Sequence, residues 1–260
     1  MQKKRRENTR AEDILCVMKK RGESMGELVA RIRNEQRISD NEKVTFAGRL
    51  DPLASGVVLL LKNDMRFEKE SFLSLPKKYE FEVILGVETD TLDVLGKITK
   101  IENKEELKNL DEVCNTTTKS LHSLLGEQIQ TYPKYSSKTV NGKPLFEYAR
   151  ENIEIERPTR TVTIFRLNLL SLCVIPKSDL LHSVTTSVGS VMGDFRQEEI
   201  LRAWHEQSYA LPRVVTKMSF NVECSTGTYV RVLATKIASL LNTCAIADNI
   251  CRVKLGEFTS

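Results

Sequence analysis

Three side chains of the 260-residue chain, Asp51, Tyr79 and Arg231, have types and settings suited to chemistry. Asp51 lies in VTFAGRLDPLASGVVLLLKND, a lone carboxylate just ahead of the apolar run Val57–Leu61. Asp before Pro is a turn signal, so one reading is an Asx-type turn opening a buried strand. The other is a carboxylate held at the mouth of a cleft. Tyr79 opens an alternating stretch on its apolar face, as a core ring or as a plate on which an extruded base stacks. Arg231 falls in the first turn of an expected helix, where the positive end of the macrodipole disfavours a cation. A phosphate or an acidic partner offsets that placement, and pairing with Asp51 would keep the carboxylate ionised and aimed. Such a set suits attack on, or electrostatic stabilisation of, a sugar carbon. A glycosidase-like reaction would need a second carboxylate, for which Glu88, Asp90 and Asp93 are available.

Local patterning says which elements carry these residues. DILCVMKK (13–20) reads as a short buried strand, and Ser24-Met25-Gly26-Glu27 as a capping box opening a helix with Leu28 and Ile32 on one face. In KKYEFEVILG, Tyr79, Phe81, Val83 and Leu85 share a face opposite Lys78, Glu80 and Glu82. Residues 103–113 read as an amphipathic helix followed by a second helical piece to about Leu125. GEQIQTYPKYSSKTVNGKPLFEYAR suggests two short strands, a turn at Asn141-Gly142 and a helix with Pro144 in its first turn. TRTVTIFRLNLLSL is a further strand. Residues 176–213 break the rhythm with a Ser/Thr/Gly-rich stretch and a helix for which Asp194 is the expected N-cap; they read as an insertion that decorates the surface in preference to contacting RNA. KMSFNVECSTGTYVRVLATKIASLLN reads as strand, turn and helix, with Val230, Leu233, Ile237 and Leu241 as the buried stripe. The expected fold is α+β: a mixed, mostly antiparallel central sheet with flanking helices around a central cleft. Residues 1–12 form a basic, solvated tail, with polyanion contact by Lys3, Lys4, Arg5 and Arg6 as the alternative, and residues 13–260 one catalytic domain.

Composition narrows the class. Hydrophobic residues make up 40% and charged residues 28%, enough apolar mass for a substantial core. The longest apolar run, Val57–Leu61, is far short of a membrane span, and no signal peptide is evident. A net charge of +4 permits nucleic-acid binding without demanding it. Six scattered cysteines without a C-x-x-C pair, and only three histidines, argue against a zinc site or a disulfide framework. No Walker loop or G-x-G-x-x-G appears. Neither metal nor cofactor is expected.

The order of motifs resembles the TruB family of tRNA pseudouridine synthases. MKKRGESMGELVARIR is similar to the family's K-P-x-G-x-T-S segment, with Lys19 and Gly22 kept and Lys20 in the proline's place. AGRLDPLASG resembles G-T-L-D-P-x-A-x-G and puts the catalytic aspartate at Asp51. KKYEFEVILGVETDTLDVLG is similar to K-x-Y followed by L-G-x-x-T-x-T-x-D-x-x-G and gives Tyr79 as the active-site tyrosine. QIQTYPKYSSKTVNGKPLFEYAR resembles Q-x-P-P-x-Y-S-A-x-K-x-x-G-x-x-x-Y-x-x-A-R. STGTYVRVLATKIA resembles G-T-Y-I-R-S-L-A-x-D, giving Tyr229 and Arg231, and ICRVKLGEF the closing L-R-R-x-x-x-G-x-F, giving Ile250 and Arg252. The GRLD stretch alone fits ribosomal-RNA synthases equally well; NGKPLFEYAR and GTYVR point to TruB. Phe46 stands where the family carries a histidine, and the insertion falls where members are shorter. Because the chain stops just after the last motif, the C-terminal PUA domain is expected to be absent.

The resemblance implies isomerisation of a uridine to pseudouridine, at position 55 in the T arm of tRNA, by a cytoplasmic monomer without membrane attachment or an obligatory protein partner. A ribosomal-RNA synthase and a catalytically silent RNA-binding or tRNA-folding module are the alternatives. Asp51, Tyr79 and Arg231 are the expected catalytic set, and Phe46, Lys78, Tyr229, Ile250 and Arg252 the substrate-binding set. Lys77, Lys78, Lys138, Lys143, Arg157 and Arg252 are candidate phosphate contacts.

Overall fold

A computed structural model describes residues 12–104 and 109–259. Lys3, Lys4, Arg5 and Arg6 of the basic tail lie outside the described residues. The first strand, β1 (Ile14–Lys19), pairs antiparallel with β3 (Ser55–Lys62) from Ile14↔Leu61 to Lys19↔Gly56. Between them come α1 (Met25–Glu35) and β2 (Val44–Ala47). The capping box forms as its spacing predicts: Glu27 N donates to Ser24 Oγ at 3.2 Å and Ser24 N donates to Glu27 Oε2 at 2.7 Å. β2 and β3 form a hairpin whose loop carries Asp51.

After a 3₁₀ turn (Asn63–Glu68) and α2 (Lys69–Ser74) comes β4 (Lys77–Leu85), with Tyr79, Phe81, Val83 and Leu85 buried as the alternation requires. The small strands β5 (Val87–Thr89) and β6 (Ile98–Ile101) bracket a tight loop, and α3 (Leu110–Ser120) starts at the cap Asn109. Of the helix expected over 103–113, residues 105–108 lie outside the described ones. β7 (Gly126–Thr131), the hairpin β8 (Thr139–Val140) and β9 (Lys143–Pro144), and α4 (Leu145–Arg150) follow. Pro144 is the N-cap of α4, one position earlier than expected.

The long strand β10 (Thr159–Pro176) leads into α5 (Lys177–Gly189) and α6 (Gln197–Gln207), and β11 (Val214–Cys224) returns antiparallel to β10. Three expectations change here. The stretch SVTTSVG is helical, because Leu180, Val184 and Val188 recur at four-residue spacing on a buried face. Asp194 is not the cap of α6; that place belongs to Arg196 in a left-handed conformation, φ 63°. Nor is the segment a surface ornament. With Ile200 and Trp204 of α6, those residues build a second core against Ile84, Val215 and Ile246 of the sheet. The Trp204 indole also donates to Gly96 O at 2.9 Å.

α7 (Val230–Ser239), β12 (Ala245–Leu255) and β13 (Phe258–Thr259) complete the chain. Leu241 falls beyond the end of α7, partly buried against the core, and the inward face of the helix also holds Arg231, Ala234 and Ala238. Among the described residues the sheet has nine strands, in the order β1-β3-β12-β4-β11-β10-β7, with β2 on β3 and β13 on β12. Its strand pairings among the described residues are antiparallel except β3 with β12, and an isolated parallel bridge joins Asp93 to Ala247. This is the expected α+β architecture, with the main core between one sheet face and α1, α3 and α7. At the parallel pairing the two backbones approach closely: a Cβ on Gly56, φ 109°, would stand 2.3 Å from Arg252 O.

Candidate active site

The Asp51 loop is held from below. Lys19, 1% exposed, donates from Nζ to Pro52 O at 2.9 Å and to Ala54 O at 2.6 Å, and Gly22 N also reaches Pro52 O at 3.0 Å. Ala54 N donates to Asp51 O at 3.0 Å, the expected turn. The turn leaves the carboxylate side chain 41% exposed while the guanidinium beside it is 3% exposed. Arg231 Nε lies 2.8 Å from Asp51 Oδ2, off the N–H axis, as an ion pair rather than an aligned hydrogen bond.

The other Arg231 nitrogens are aligned: one donates to Thr91 O at 2.6 Å, the other to Tyr135 O at 3.1 Å. Asp93 Oδ2 stands 3.7 Å from the same Nε. Its Oδ1 accepts from the Thr91 hydroxyl at 2.6 Å and from Leu95 N at 3.0 Å. Burial pushes the Asp93 carboxyl up to about 6, with Arg231 opposing the shift and Asp51 reinforcing it. Burial also works against the Arg231 charge, yet the carboxylates of Asp51 and Asp93 outweigh it and its pKa rises. The unfavourable place in the first turn of α7 is thus offset by two acids and two carbonyls. Gln130, buried on β7, fixes that turn by accepting from Tyr229 N at 2.9 Å.

Two adjoining cavities open beside Asp51 and share Arg49, Leu50, Ser136, Ser137 and Arg231 with it. The first, about 330 Å³, brings together Tyr79, Tyr229, Ile250 and Arg252, as expected, with Lys77, Tyr132 and Arg160. Burial raises the Tyr79 phenol pKa and the Arg252 charge beside it opposes the rise. The second, about 440 Å³, lies between the Asp51 loop, Phe146 and Arg150 of α4, and Asp194, Phe195 and Arg196.

Other expectations need correction. Arg252 is buried at 1% exposure, with Nε donating to Val57 O at 2.7 Å and a terminal nitrogen to Gly48 O at 3.2 Å, so it braces the Asp51 hairpin instead of offering itself to phosphate. Lys77 is likewise buried, its ammonium on Leu73 O and Leu75 O at the end of α2. Burial and the nearby Arg252 lower its pKa to about 8. The alternation that buries Tyr79 places Lys77 on the same face, which was the available signal. Lys78 is half-buried and outside both cavity walls. Phe46 also lines neither; its ring carries Arg49 at 5.4 Å and Lys69 at 5.7 Å. Lys138 is exposed over the Tyr132 ring at 5.6 Å, Lys143 pairs with Glu151, and Arg157 donates to Tyr132 O at 3.0 Å.

Of the acidic cluster, Asp93 sits behind Arg231, Asp90 pairs with Arg196 at 2.8 Å, and the Thr99 hydroxyl reaches Glu88 at 3.4 Å. None of the three stands across the cavity from Asp51 as a free second carboxylate. Arg49, Arg160, Ser136 and Arg196 escaped sequence reasoning, because only the folded chain brings these segments to one cleft. No group of three or more His, Cys, Asp and Glu side chains fit to hold a metal ion occurs among the described residues, and no described helix is long and apolar enough to cross a membrane.

Residues 36–192 match the family described as "TruB family pseudouridylate synthase (N terminal domain)". Relatives named tRNA pseudouridine synthase B include that of Geobacillus thermodenitrificans, 32% identical over 94% of this chain and 67% of its own length. That of Bacillus licheniformis is 34% identical over 95% of this chain and 66% of its own length. The chain therefore spans about two thirds of these relatives. Among solved structures, a Cbf5–Nop10–Gar1 complex aligns over 97% of this chain and 52% of its own chain, TM-score 0.55, 18% identical. An H/ACA RNP bound to a substrate RNA containing 2'-deoxyuridine aligns over 95% and 48%, TM-score 0.50, at the same identity. These two share the fold, whereas the sequence relatives settle kinship: the chain belongs to the TruB family of pseudouridylate synthases.

Proposed function

We propose that this chain isomerises a uridine of RNA to pseudouridine, with the T-arm uridine at standard position 55 of tRNA as substrate. The observation that carries the reading is the exposed Asp51 carboxylate set 2.8 Å from a buried guanidinium, at the edge of a cavity walled by Tyr79. The names of the relatives, tRNA pseudouridine synthase B, support tRNA as the substrate class.

The target nucleotide leaves its stack and enters the first cavity, where the uracil lies against Tyr79, Tyr229 and Ile250. Arg231 positions Asp51 through the ion pair at 2.8 Å. The carboxylate either adds to the sugar carbon or takes a sugar proton to give a glycal; both routes start from this geometry. The bond from uracil N1 to the sugar breaks, the ring turns, and a new bond forms from C5 to the same sugar carbon as Asp51 leaves that carbon or, in the glycal route, returns the sugar proton. The C5 proton leaves and N1 gains one, so substrate and product are isomers and no cofactor is consumed. A raised phenol pKa disfavours Tyr79 as a free base. It suits a stacking face whose hydroxyl gives up one proton as it takes another.

The enzyme acts as a cytoplasmic monomer from a single catalytic body without an obligatory protein partner. Pseudouridine mapping across all RNAs of cells with and without the gene tests the substrate. The reading requires loss of the T-arm modification alone. Loss confined to ribosomal RNA would replace tRNA with that substrate, and an unchanged map alongside retained T-arm binding would reduce the chain to a silent RNA-binding module.

A further inference from the structure

Arg231 faces Asp51 through Nε, yet that nitrogen makes no aligned hydrogen bond, so its two terminal nitrogens set the plane of the guanidinium. They donate to Thr91 O at 2.6 Å and to Tyr135 O at 3.1 Å. Thr91 lies in the loop between β5 and β6, and Tyr135 in the stretch between β7 and β8, both outside the nine-stranded sheet. The aim of Arg231 therefore depends on whatever keeps these two segments at one spacing. We propose that Arg196 is the positioning residue that does so, and that the α5–α6 connection thereby orients Arg231 toward Asp51. This role rests on the pseudouridine synthase reading and adds to it a residue that acts through Arg231.

Arg196 reaches both segments. Its guanidinium lies over the Tyr135 ring, 4.2 Å from the centroid, and donates to Oδ2 of Asp90, the neighbour of Thr91, at 2.8 Å. Asp90 is fixed in its own loop: its N donates to Lys97 O at 3.0 Å and its Oδ1 accepts from Lys97 N at 2.9 Å. Burial and the Asp90 charge both raise the Tyr135 phenol pKa, which sets the same carboxylate beside the ring. Only 15% of the Arg196 side chain and 20% of the Asp90 side chain are exposed, so water and salt screen the pair less than one on the surface.

The connection is a fixed mount for this side chain. Phe195 N donates to Gln197 Oε1 at 2.9 Å, and Gln197 Nε2 donates to Val191 O at 2.9 Å and Gly193 O at 2.6 Å. The left-handed backbone of Arg196, φ 63°, is thus held on both sides. The buried faces of α5 and α6 anchor the connection to the sheet through the second core. A further tie reaches the segment after Tyr135. Arg150 of α4 donates to Asp194 O at 2.6 Å, and Phe146 N of the same helix donates to Ser136 O at 3.1 Å. Displacing a catalytic group by about 1 Å can cost roughly a hundredfold in rate, so a brace on these two carbonyls bears on kcat without contact to the RNA.

Turnover and binding of a T-arm hairpin by Arg196→Met, Arg231→Lys and the double variant test this. Arg196→Met should lower kcat about 10- to 100-fold while the hairpin Kd stays within about threefold of wild type. Arg196→Lys, unbranched like Met at the same left-handed position, should recover part of the rate by pairing with Asp90. In the Arg231→Lys background no fork is left to orient, so adding Arg196→Met should cost no more than about twofold. Asp90→Asn keeps an oxygen for Lys97 N and removes the charge that pins Arg196, and it carries the same cycle should Arg196→Met fail to fold. Ile200→Val, fully buried in the second core, should lower the urea midpoint and leave kcat unchanged. Losses that multiply in the double variant, weaker binding at unchanged kcat, or an equal fall in kcat for Ile200→Val overturn the role. Wild-type turnover separates the two levels. Turnover with multiplying losses removes the role of Arg196 alone, whereas no turnover by wild type removes the synthase reading and this role with it.

Discussion

Arg231 and Arg252 are the two buried arginines among the described residues, at 3% and 1% exposure, and both reach the cleft. They differ in what they hold. Arg252 is held by backbone: its guanidinium donates to the carbonyls of Val57 and Gly48 and closes the hairpin that carries Asp51. Arg231 also donates to carbonyls, but its Nε faces two carboxylates, one exposed and one buried. A buried cation satisfied by carbonyls is a brace. One that faces an exposed carboxylate holds that carboxylate where a substrate can meet it.

If that distinction holds, replacing the two arginines should break different properties. Arg231→Leu should lower kcat by about a thousandfold, near 4 kcal/mol, because Asp51 loses the charge that orients it. Arg231→Lys should recover part of the rate, since it restores charge without the fork that reaches Thr91 O and Tyr135 O. Steady-state kinetics on a T-arm hairpin reads both, and a full rate for Arg231→Leu would erase the distinction. Arg252→Met should instead cost about 3 kcal/mol of stability, as one buried and one part-buried carbonyl lose their donor. Urea unfolding measures that, and kcat of the folded fraction should stay within roughly tenfold of wild type.

The third test concerns the buried acid behind Arg231. A folded pKa of about 6 against the ordinary 3.8 means that the folded chain binds this proton more tightly than the unfolded one. The stability this contributes is complete below about pH 4 and is lost as pH rises through 6. Asp93→Asn removes the titration. The stability of wild type minus that of the variant should therefore fall between pH 4 and 6, by roughly 2 to 3 kcal/mol. A difference independent of pH would show that Asp93 is not a strained partner of Arg231.

These contrasts also mark how far the sequence reaches. The alternation in KKYEFEVIL, the capping box at Ser24 and the odd cation in the first turn of α7 are local features, and each reads correctly from spacing. The pairing of Arg231 with Asp51 was legible because one residue lacked a local partner and the other stood unexplained beside a buried strand. The burial of Arg252 and Lys77 was not, since it depends on carbonyls delivered by Gly48, Val57, Leu73 and Leu75 from other segments. SVTTSVG hid its helix for a related reason. Its Ser, Thr and Val residues have modest helix propensity, and burial of Val184 and Val188 against a second core overrides it. Phe195 and Arg196 are placed by that packing, so their arrival beside Asp51 had no signature in the chain.

The most direct test of the account is Asp51→Asn, which keeps the size and turn of the side chain and removes its charge. Proton release from C5-labelled uridine in a T-arm hairpin should fall by at least about a thousandfold, while hairpin binding and the unfolding midpoint stay close to wild type. Full turnover by Asp51→Asn would contradict the central claim that this carboxylate, held by Arg231, is the group that acts on the sugar.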